Sequence, residues 1–308
     1  MNNIIGKTYT HPVIKGKRYT KMMPEGTALV LEGGGTRGFY SSGVFDAFID
    51  EGIMFPYIIG VSAGAANALS YISGQKGRSR LIVEHYVGSH KYVSRRNLLK
   101  HGTMFGLDFI FKTVPEQHIF WDKEMFDFAD IRFLTGATDC AAGVPVWFEK
   151  SEITPWFEVT RASCAVPLLS KIIKIGGLNL LDGGISAPIP IEKSMKDGNT
   201  FHVIVLTRNP GYTKPPFTHK RILKLFYRKY PELINAIVNR HKVYKKQLEL
   251  CEQLERDGKA VIIRPLRPLP DSAGTTGRDI PKLLELYDEG YEECKELIFD
   301  KIMGINSQ

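Results

Sequence analysis

The segment Gly60-Val61-Ser62-Ala63-Gly64 constrains this chain more than any other. An apolar run, Met54 to Ile59, enters it, and a small-residue stretch, Ala63 to Tyr71, leaves it. Read as a buried strand passing into a helix, the join is a sharp turn with no room for side chains at the flanking positions, where Gly60 and Gly64 stand. Ser62 then projects its hydroxyl from the tip of a nucleophile elbow. The same five residues also fit an ordinary strand-to-helix turn, so neighbouring motifs must separate a reactive serine from a bland one.

Upstream, Thr27 to Leu31 reads as a short buried strand running into Glu32-Gly33-Gly34-Gly35-Thr36-Arg37-Gly38 and then a helix, Phe39 to Asp50. Strand, glycine loop and helix form an anion-binding arrangement, because glycines let backbone N–H groups converge and the helix N-terminus favours negative charge. In a hydrolase that point is an oxyanion hole. Gly33, Gly35 and Gly38 also spell the dinucleotide-binding pattern, but that fold needs an acidic residue about 20 positions on to hold a ribose. Gly60-Val61-Ser62 stands there instead. A phosphate-binding P-loop needs Gly-Lys-Ser/Thr at the loop's end, which Arg37-Gly38-Phe39 does not supply.

The third motif is Leu180-Leu181-Asp182-Gly183-Gly184, an apolar stretch ending in an acid and two glycines. Alone it is a turn; beside the other two it offers a base, since a shielded carboxylate within about 3 Å can take a serine's proton. Histidine is the commoner base. Of the candidates that follow Asp182 as a Ser, Asp, His order requires, His202 falls in a strand and His219 and His241 in basic helical stretches. None sits in a turn-marked loop that would present it.

Together the three motifs resemble the patatin-like phospholipases, whose hallmarks are a glycine-rich loop ending in a basic residue and glycine, a G-x-S-x-G elbow and an Asp-Gly-Gly or Asp-Gly-Ala motif. The resemblance covers about residues 27 to 210, including the small-residue segment Arg161 to Pro167. It implies a Ser62–Asp182 dyad with Gly183 and Gly184 completing the acid's motif. The oxyanion loop would be Gly33, Gly34, Gly35, Arg37 and Gly38, joined by the amide of Ala63. Arg37 would either bind a lipid phosphate or pair with an acid and shape the loop; the structural role is the expectation. Lipid or another small acyl ester is the implied substrate. A catalytically silent lipid- or partner-binding member and a nucleotide-binding enzyme are the alternatives.

Alternation of strand and helix signals at Arg132 to Thr138, Val144 to Glu149, Phe201 to Leu206 and Ala260 to Ile263 predicts an α/β fold. It has three layers, with a central mostly parallel sheet covered on both faces. The expected divisions are an N-terminal extension (1–26), a catalytic core (27–210) and a C-terminal helical region (211–308) packed on it. Within the core, residues 75–132 read as a cap-like insertion whose large apolar groups, among them Phe105, Ile110, Phe111 and Trp121, either fill a helical subdomain or hold an acyl chain over Ser62. The last helix, Ile280 to Met303, would bury Leu283, Leu284, Tyr287, Tyr291, Cys294 and Ile298.

No apolar signal region or membrane span is visible, so a cytoplasmic protein is expected. Cys140, Cys164, Cys251 and Cys294 lie too far apart for a metal motif and read as free thiols. No metal or cofactor is expected. The net charge of +8 concentrates in Lys220 to Lys246, where nine Lys or Arg face one acid, Glu232. Two helices split at Pro231 fit that stretch. A solvated basic face is the plain reading and peripheral contact with an anionic membrane the functional one; no nucleic-acid motif accompanies the charge.

Overall fold

The computed structural model describes residues 3–4, 6–150, 156–268, 279–297 and 301–302. Its centre is an eight-stranded sheet: β1 (Thr27–Leu31), β2 (Tyr57–Val61), β3 (Arg132–Asp139), β4 (Pro145–Glu149), β5 (Ile173–Ile175), β6 (Leu178–Asp182), β7 (Phe201–Val205) and β8 (Ala260–Ile263). Strands β8, β7, β1, β2 and β3 lie side by side in that order and all parallel. Every residue of β1, β2 and β8 is buried, which is why they read as unbroken apolar runs rather than alternating ones. The expected strand at Met54 to Ile59 breaks at Pro56 and resumes as β2, since proline cannot donate into a central ladder.

The two faces of the sheet bury different helices. Leu29, Leu31, Ile58, Phe133 and Val205 pack with α1 (Phe39–Asp50), α2 (Ala63–Ile72) and α5 (Ile280–Leu297). Ala28, Val30, Ile59, Leu134 and Ile204 pack with Tyr244, Cys251 and Leu254 of α4 (Pro231–Arg256). Successive residues of β1 therefore point to opposite layers, the period-2 geometry of a three-layer α/β/α fold. The C-terminal region is woven into this core: it supplies β8 as well as one helix for each face.

Two antiparallel strands, β4 and β6, pair with β3, and a third, β5, pairs with β6. Gly136 pairs with Val61 of β2 on one edge and with Trp147 of β4 on the other. One residue on, Ala137 still faces β4 at Val146, while its opposite partner is now Asp182 of β6. Strands β2 and β6 thus approach each other end to end along one edge of β3, bringing the residue after Val61 against Asp182.

Residues 75–132 include the short helices Arg78–Ile82, Arg95–His101, Phe109–His118 and Lys123–Phe128, of which the first and last rest on α2. Trp121 Nε1 donates to Leu69 O at 3.3 Å, and the buried Arg78 donates to Ser70 Oγ and Phe120 O, each at 3.0 Å. Phe105, Phe111, Trp121 and Phe126 are buried, whereas Phe128 is exposed.

Helix α5 lies unusually close to α1. It buries Leu283, Leu286, Tyr287, Gly290 and Cys294, with Leu284 and Tyr291 half-buried; Ile298 lies outside the described residues. A Cβ at Gly290 would overlap the Tyr40 carbonyl oxygen of α1, so only glycine permits this spacing. Tyr40 donates to Glu293 Oε2 at 2.5 Å across the interface, and Tyr287 to Asp46. Gly290→Val is expected to destabilise the protein by on the order of 3 kcal/mol, the upper end for overpacking, read as a lower urea midpoint with an unchanged slope.

Candidate active site

Ser62 occupies the break between β2 and α2 with φ 52° and ψ −129°, outside the regions favoured by residues with a side chain. Holding a serine there costs on the order of 1–3 kcal/mol, which the surroundings must offset. A Cβ at Gly60 would lie 2.9 Å from Ala65 N, and one at Gly64 2.7 Å from Glu32 O, so both flanking positions require glycine. The Ser62 amide is pinned: it donates to Ser163 Oγ at 2.7 Å, and that hydroxyl donates to Gly136 O at 2.6 Å. Ser163 ends helix α3 (Trp156–Ser163), so a neighbouring layer fixes the strained turn to β3.

Ser62 Oγ donates to Asp182 Oδ2 at 2.7 Å, with both side chains buried. The other carboxylate oxygen, Oδ1, accepts the Gly184 amide at 2.7 Å, and Asp182 N donates to Ala165 O at 2.9 Å. Burial pushes the Asp182 carboxyl above the usual aspartate range. It is opposed first by the Arg240 charge, then by the Ser62 hydroxyl, the Gly184 amide and Lys214. Gly183 packs against Gly136 O, closing the turn after β6. His202, a formal alternative base, is buried in β7 with Ser194 Oγ 3.2 Å from Nδ1, and burial lowers its pKa to about 4.

The glycine loop borders the dyad. Gly33 abuts the Ser62 Cβ, Gly34 abuts Thr207, and Gly35, with φ 58°, opens a tight turn running to Gly38. Asn67 of α2 holds that turn by donating to Gly38 O at 2.7 Å. A cavity of about 110 Å³ begins at Gly35, Ser62 and Ala63 and runs beneath the cap, where Phe105, Leu107, Ile110, Phe111, Pro115 and Trp121 line it. Ala63 N lies in the first turn of α2, where amides have no intrahelical acceptor, and so can face an anion at the cavity's base. Gly34 is not part of this lining, and neither is Arg37, whose charged and polar neighbours are Arg208, Glu32, Tyr212 and Tyr244.

The patatin-like phospholipase family model matches residues 29–194, more than half of the 308 and all three motifs. The chain belongs to the patatin-like phospholipase family. Residues 230–300 match a second model, a domain of unknown function (DUF6363), which covers α4, β8 and α5. The uncharacterized protein YjjU of Escherichia coli is 27% identical over 277 residues, 87% of this chain and 75% of that protein. An uncharacterized NTE family protein of Mycobacterium tuberculosis is 28% identical over 168 residues, 53% of this chain and 44% of its own length. Among solved structures, VipD from Legionella pneumophila aligns over 96% of this chain and 71% of that one, with a TM-score of 0.44 and 12% identity.

Three residues near this patatin-like site escape a reading of its motifs. Ser163 is legible only as a small residue, yet it carries the hydrogen-bond clamp on Ser62. Arg240 lies 58 positions after Asp182 on another face of the sheet, and no local pattern announces it. Cys164 lines the cavity beside Ser62, but burial, with Asp182 adding to it, holds its thiol well above the ordinary value. A thiol kept protonated is a poor nucleophile.

Two outcomes follow. Ser163→Ala, by freeing the elbow amide, is expected to lower kcat for a soluble ester by on the order of tenfold to a hundredfold while the fold is retained by circular dichroism. A carboxyl base must be ionised to accept a proton, so with Asp182 in that role activity is expected to rise with pH through its pKa, the acid limb lying above the ordinary value of about 3.9. Arg240→Met removes the largest downward influence and is expected to move that limb to higher pH, read from kcat/KM profiles.

Proposed function

We propose that this chain is a serine acyl-ester hydrolase that cleaves lipid esters, as a phospholipase A, lysophospholipase or related esterase. The observation that carries this reading is the buried 2.7 Å hydrogen bond from Ser62 Oγ to Asp182 Oδ2 at the base of a cavity walled by apolar cap side chains. In the reaction, Ser62 Oγ attacks the ester carbonyl as its proton passes to Asp182 Oδ2. The carbonyl oxygen becomes an oxyanion held by backbone amides of the glycine loop and of Ala63. Collapse of this intermediate expels the alcohol, which takes the proton from Asp182, and leaves an acyl-serine. Water then repeats the cycle in reverse, with Asp182 again taking a proton, and releases the fatty acid.

The cap favours an acyl chain as the cavity's occupant, since its wall offers aromatic and aliphatic groups with the ester end at Ser62. Wild-type protein is expected to hydrolyse p-nitrophenyl esters and to react with a fluorophosphonate. Ser62→Ala and Asp182→Asn are expected to lose at least about a thousandfold in kcat/KM while remaining folded. A wild type that neither turns over nor becomes labelled would sink the hydrolase reading.

The membrane surface is where such a substrate resides, and helix Lys220–Tyr227 is suited to meet it. Ten large apolar side chains are exposed among the described residues, and Ile222, Leu225 and Phe226 of this one helix are three of them, with Leu225 75% exposed. Lys220, Arg221 and Lys224 flank them, and no acidic residue occurs between Asp197 and Glu232. Apolar groups set among cations match an anionic bilayer, which attracts the charges and accepts the side chains. The helix is anchored beside the site: Leu223 and Tyr227 are buried, and Tyr227 Oη accepts the Leu168 amide at 2.8 Å, four residues beyond Cys164. No described helix is long and apolar enough to cross a membrane, so contact would be peripheral. Flotation with vesicles containing phosphatidylglycerol is expected for the wild type, with a loss of at least tenfold in bound fraction for Leu225→Ser/Phe226→Ser. Equal flotation of the two proteins would remove the helix from the contact.

A further inference from the structure

A dense group of cations lies across the glycine loop from the acyl cavity. Arg37 of the loop, Arg208 and Lys214 after β7, and Arg240 of α4 surround the end of β7, where each lowers or is lowered by the charge of another: Arg37 by Arg208, and Lys214 by Arg240, Arg37 and Arg208. Burial, reinforced by these neighbours, brings the Lys214 pKa down to about 7. Arg208 stacks on Tyr212 at 4.0 Å and Lys214 on Tyr244 at 5.0 Å, which fixes both heads in place. Arg240 Nη2 lies 3.1 Å from where a Cβ of Gly184 would be, tying the group to the Asp182 turn.

Two carboxylates are close, and neutral donors already occupy both. Glu32 Oε2 accepts the Thr207 amide at 2.6 Å, and the two oxygens of Asp182 accept Ser62 Oγ and the Gly184 amide. Among the described residues, the arginines within ion-pair distance of a carboxylate are Arg80, Arg132, Arg161 and Arg264, none of them in this group. Glu32 attracts Arg37 and Lys214, and Asp182 is held by the charges of Arg240 and Lys214, yet four cations face two acids and the group keeps an excess of positive charge. Their floor also holds unspent donors: Thr207 is fully buried with its hydroxyl unpartnered, and the buried Nε atoms of Arg37 and Arg240 have no acceptor among the described residues. Clustered, desolvated cations and an unpartnered buried hydroxyl are unfavourable unless an anion completes them. All four cationic residues are largely but not fully buried, so the group keeps an opening to solvent.

We propose that Arg37, Arg208, Lys214, Arg240 and Thr207 form a binding site for one phosphate group. Guanidinium forks and a hydroxyl suit the tetrahedral oxygens of phosphate, and the cluster's excess positive charge suits an anion rather than a neutral polar group. This deepens the lipid-hydrolase reading and rests on it for its geometry: the glycine loop separates the two regions, with Gly35 facing the apolar cavity and Gly34 facing Thr207. A substrate with its scissile ester at Ser62 can place its acyl chain under the cap and a phosphodiester head group among the cations. The same chemistry would also accept free phosphate.

The test uses the full chain in thermal-shift and calorimetric titrations with inorganic phosphate and, separately, with sn-glycero-3-phosphocholine, each against sodium chloride of equal ionic strength. A rise in melting temperature with either anion is expected for the wild type, with binding at least tenfold weaker in Arg208→Gln and in Lys214→Met. Lys245→Gln, an exposed lysine elsewhere on α4, should bind as the wild type. Response to the glycerophosphodiester assigns the site to a head group, and response to phosphate alone assigns it to free phosphate. No shift beyond that of chloride, or equal shifts in wild type and both cluster variants, indicates an adventitious ion only and overturns the proposal. Hydrolysis of p-nitrophenyl butyrate by the wild type is measured alongside, so that loss of the hydrolase reading is seen separately from loss of the phosphate site.

Discussion

The hydrogen-bonded edge of β3 is the constraint on which the site depends. Two strands arriving from opposite directions share that edge, β2 in parallel up to Gly136 and β6 antiparallel down to Ala137. Backbone pairing thereby sets the separation of Ser62 and Asp182, which are 120 positions apart in the chain, before any side chain contributes. Ladder hydrogen bonds tolerate little slippage, because a shift of one residue would turn every buried side chain of β6 to the wrong face. Ser163 extends the same device by bridging the elbow amide to Gly136. A strained serine is thus held by groups that belong to the sheet and to α3, rather than by its own turn.

Electrostatics around this junction pull in two directions. Withdrawing Asp182 from water raises its affinity for a proton, which suits a base, while the cations and amides about it keep the charged form accessible. Those cations are Lys214, from the segment after β7, and Arg240, from α4. Helix α4 therefore bears on the electrostatics of Asp182 as well as covering the sheet, and β8 extends the sheet. The C-terminal third matches a different family model from the core, yet α4 reaches over the sheet to Asp182 and α5 seals against α1 through Gly290.

Much of this architecture was legible because its signals are local. Buried parallel strands leave unbroken apolar runs, and Pro231 marks the start of α4. The break at Pro56 was misjudged because an apolar run conceals whether proline stands inside a strand or before it. The apolar face of α5 was mostly anticipated, but Leu286 and Gly290 replaced Leu284 and Tyr291 as its most buried positions. Gly290 lies against α1, where a Cβ would meet the Tyr40 carbonyl oxygen. Arg37 was expected to bind a lipid phosphate or to pair with an acid and shape the loop, and both a cation, Arg208, and an acid, Glu32, act on it. Which charges gather around a side chain is a property of packing, and no local spacing encodes it.

The sequence by itself determined the family, the α/β class and the three motifs that could meet at one site, because each depends on residue types that few backbone conformations accept. Glycine where no side chain fits, serine at a strand-to-helix break and an acid before two glycines are readable wherever they occur. Tertiary structure alone decided that the elbow and the acid share an edge of β3, that Ser163 clamps the strained amide, and that four cations converge behind the loop. These are contacts between separate elements of the chain, as far apart as Ser62 and Asp182 at 120 positions, set by strand register and helix docking, and their energies exist only once the layers have closed.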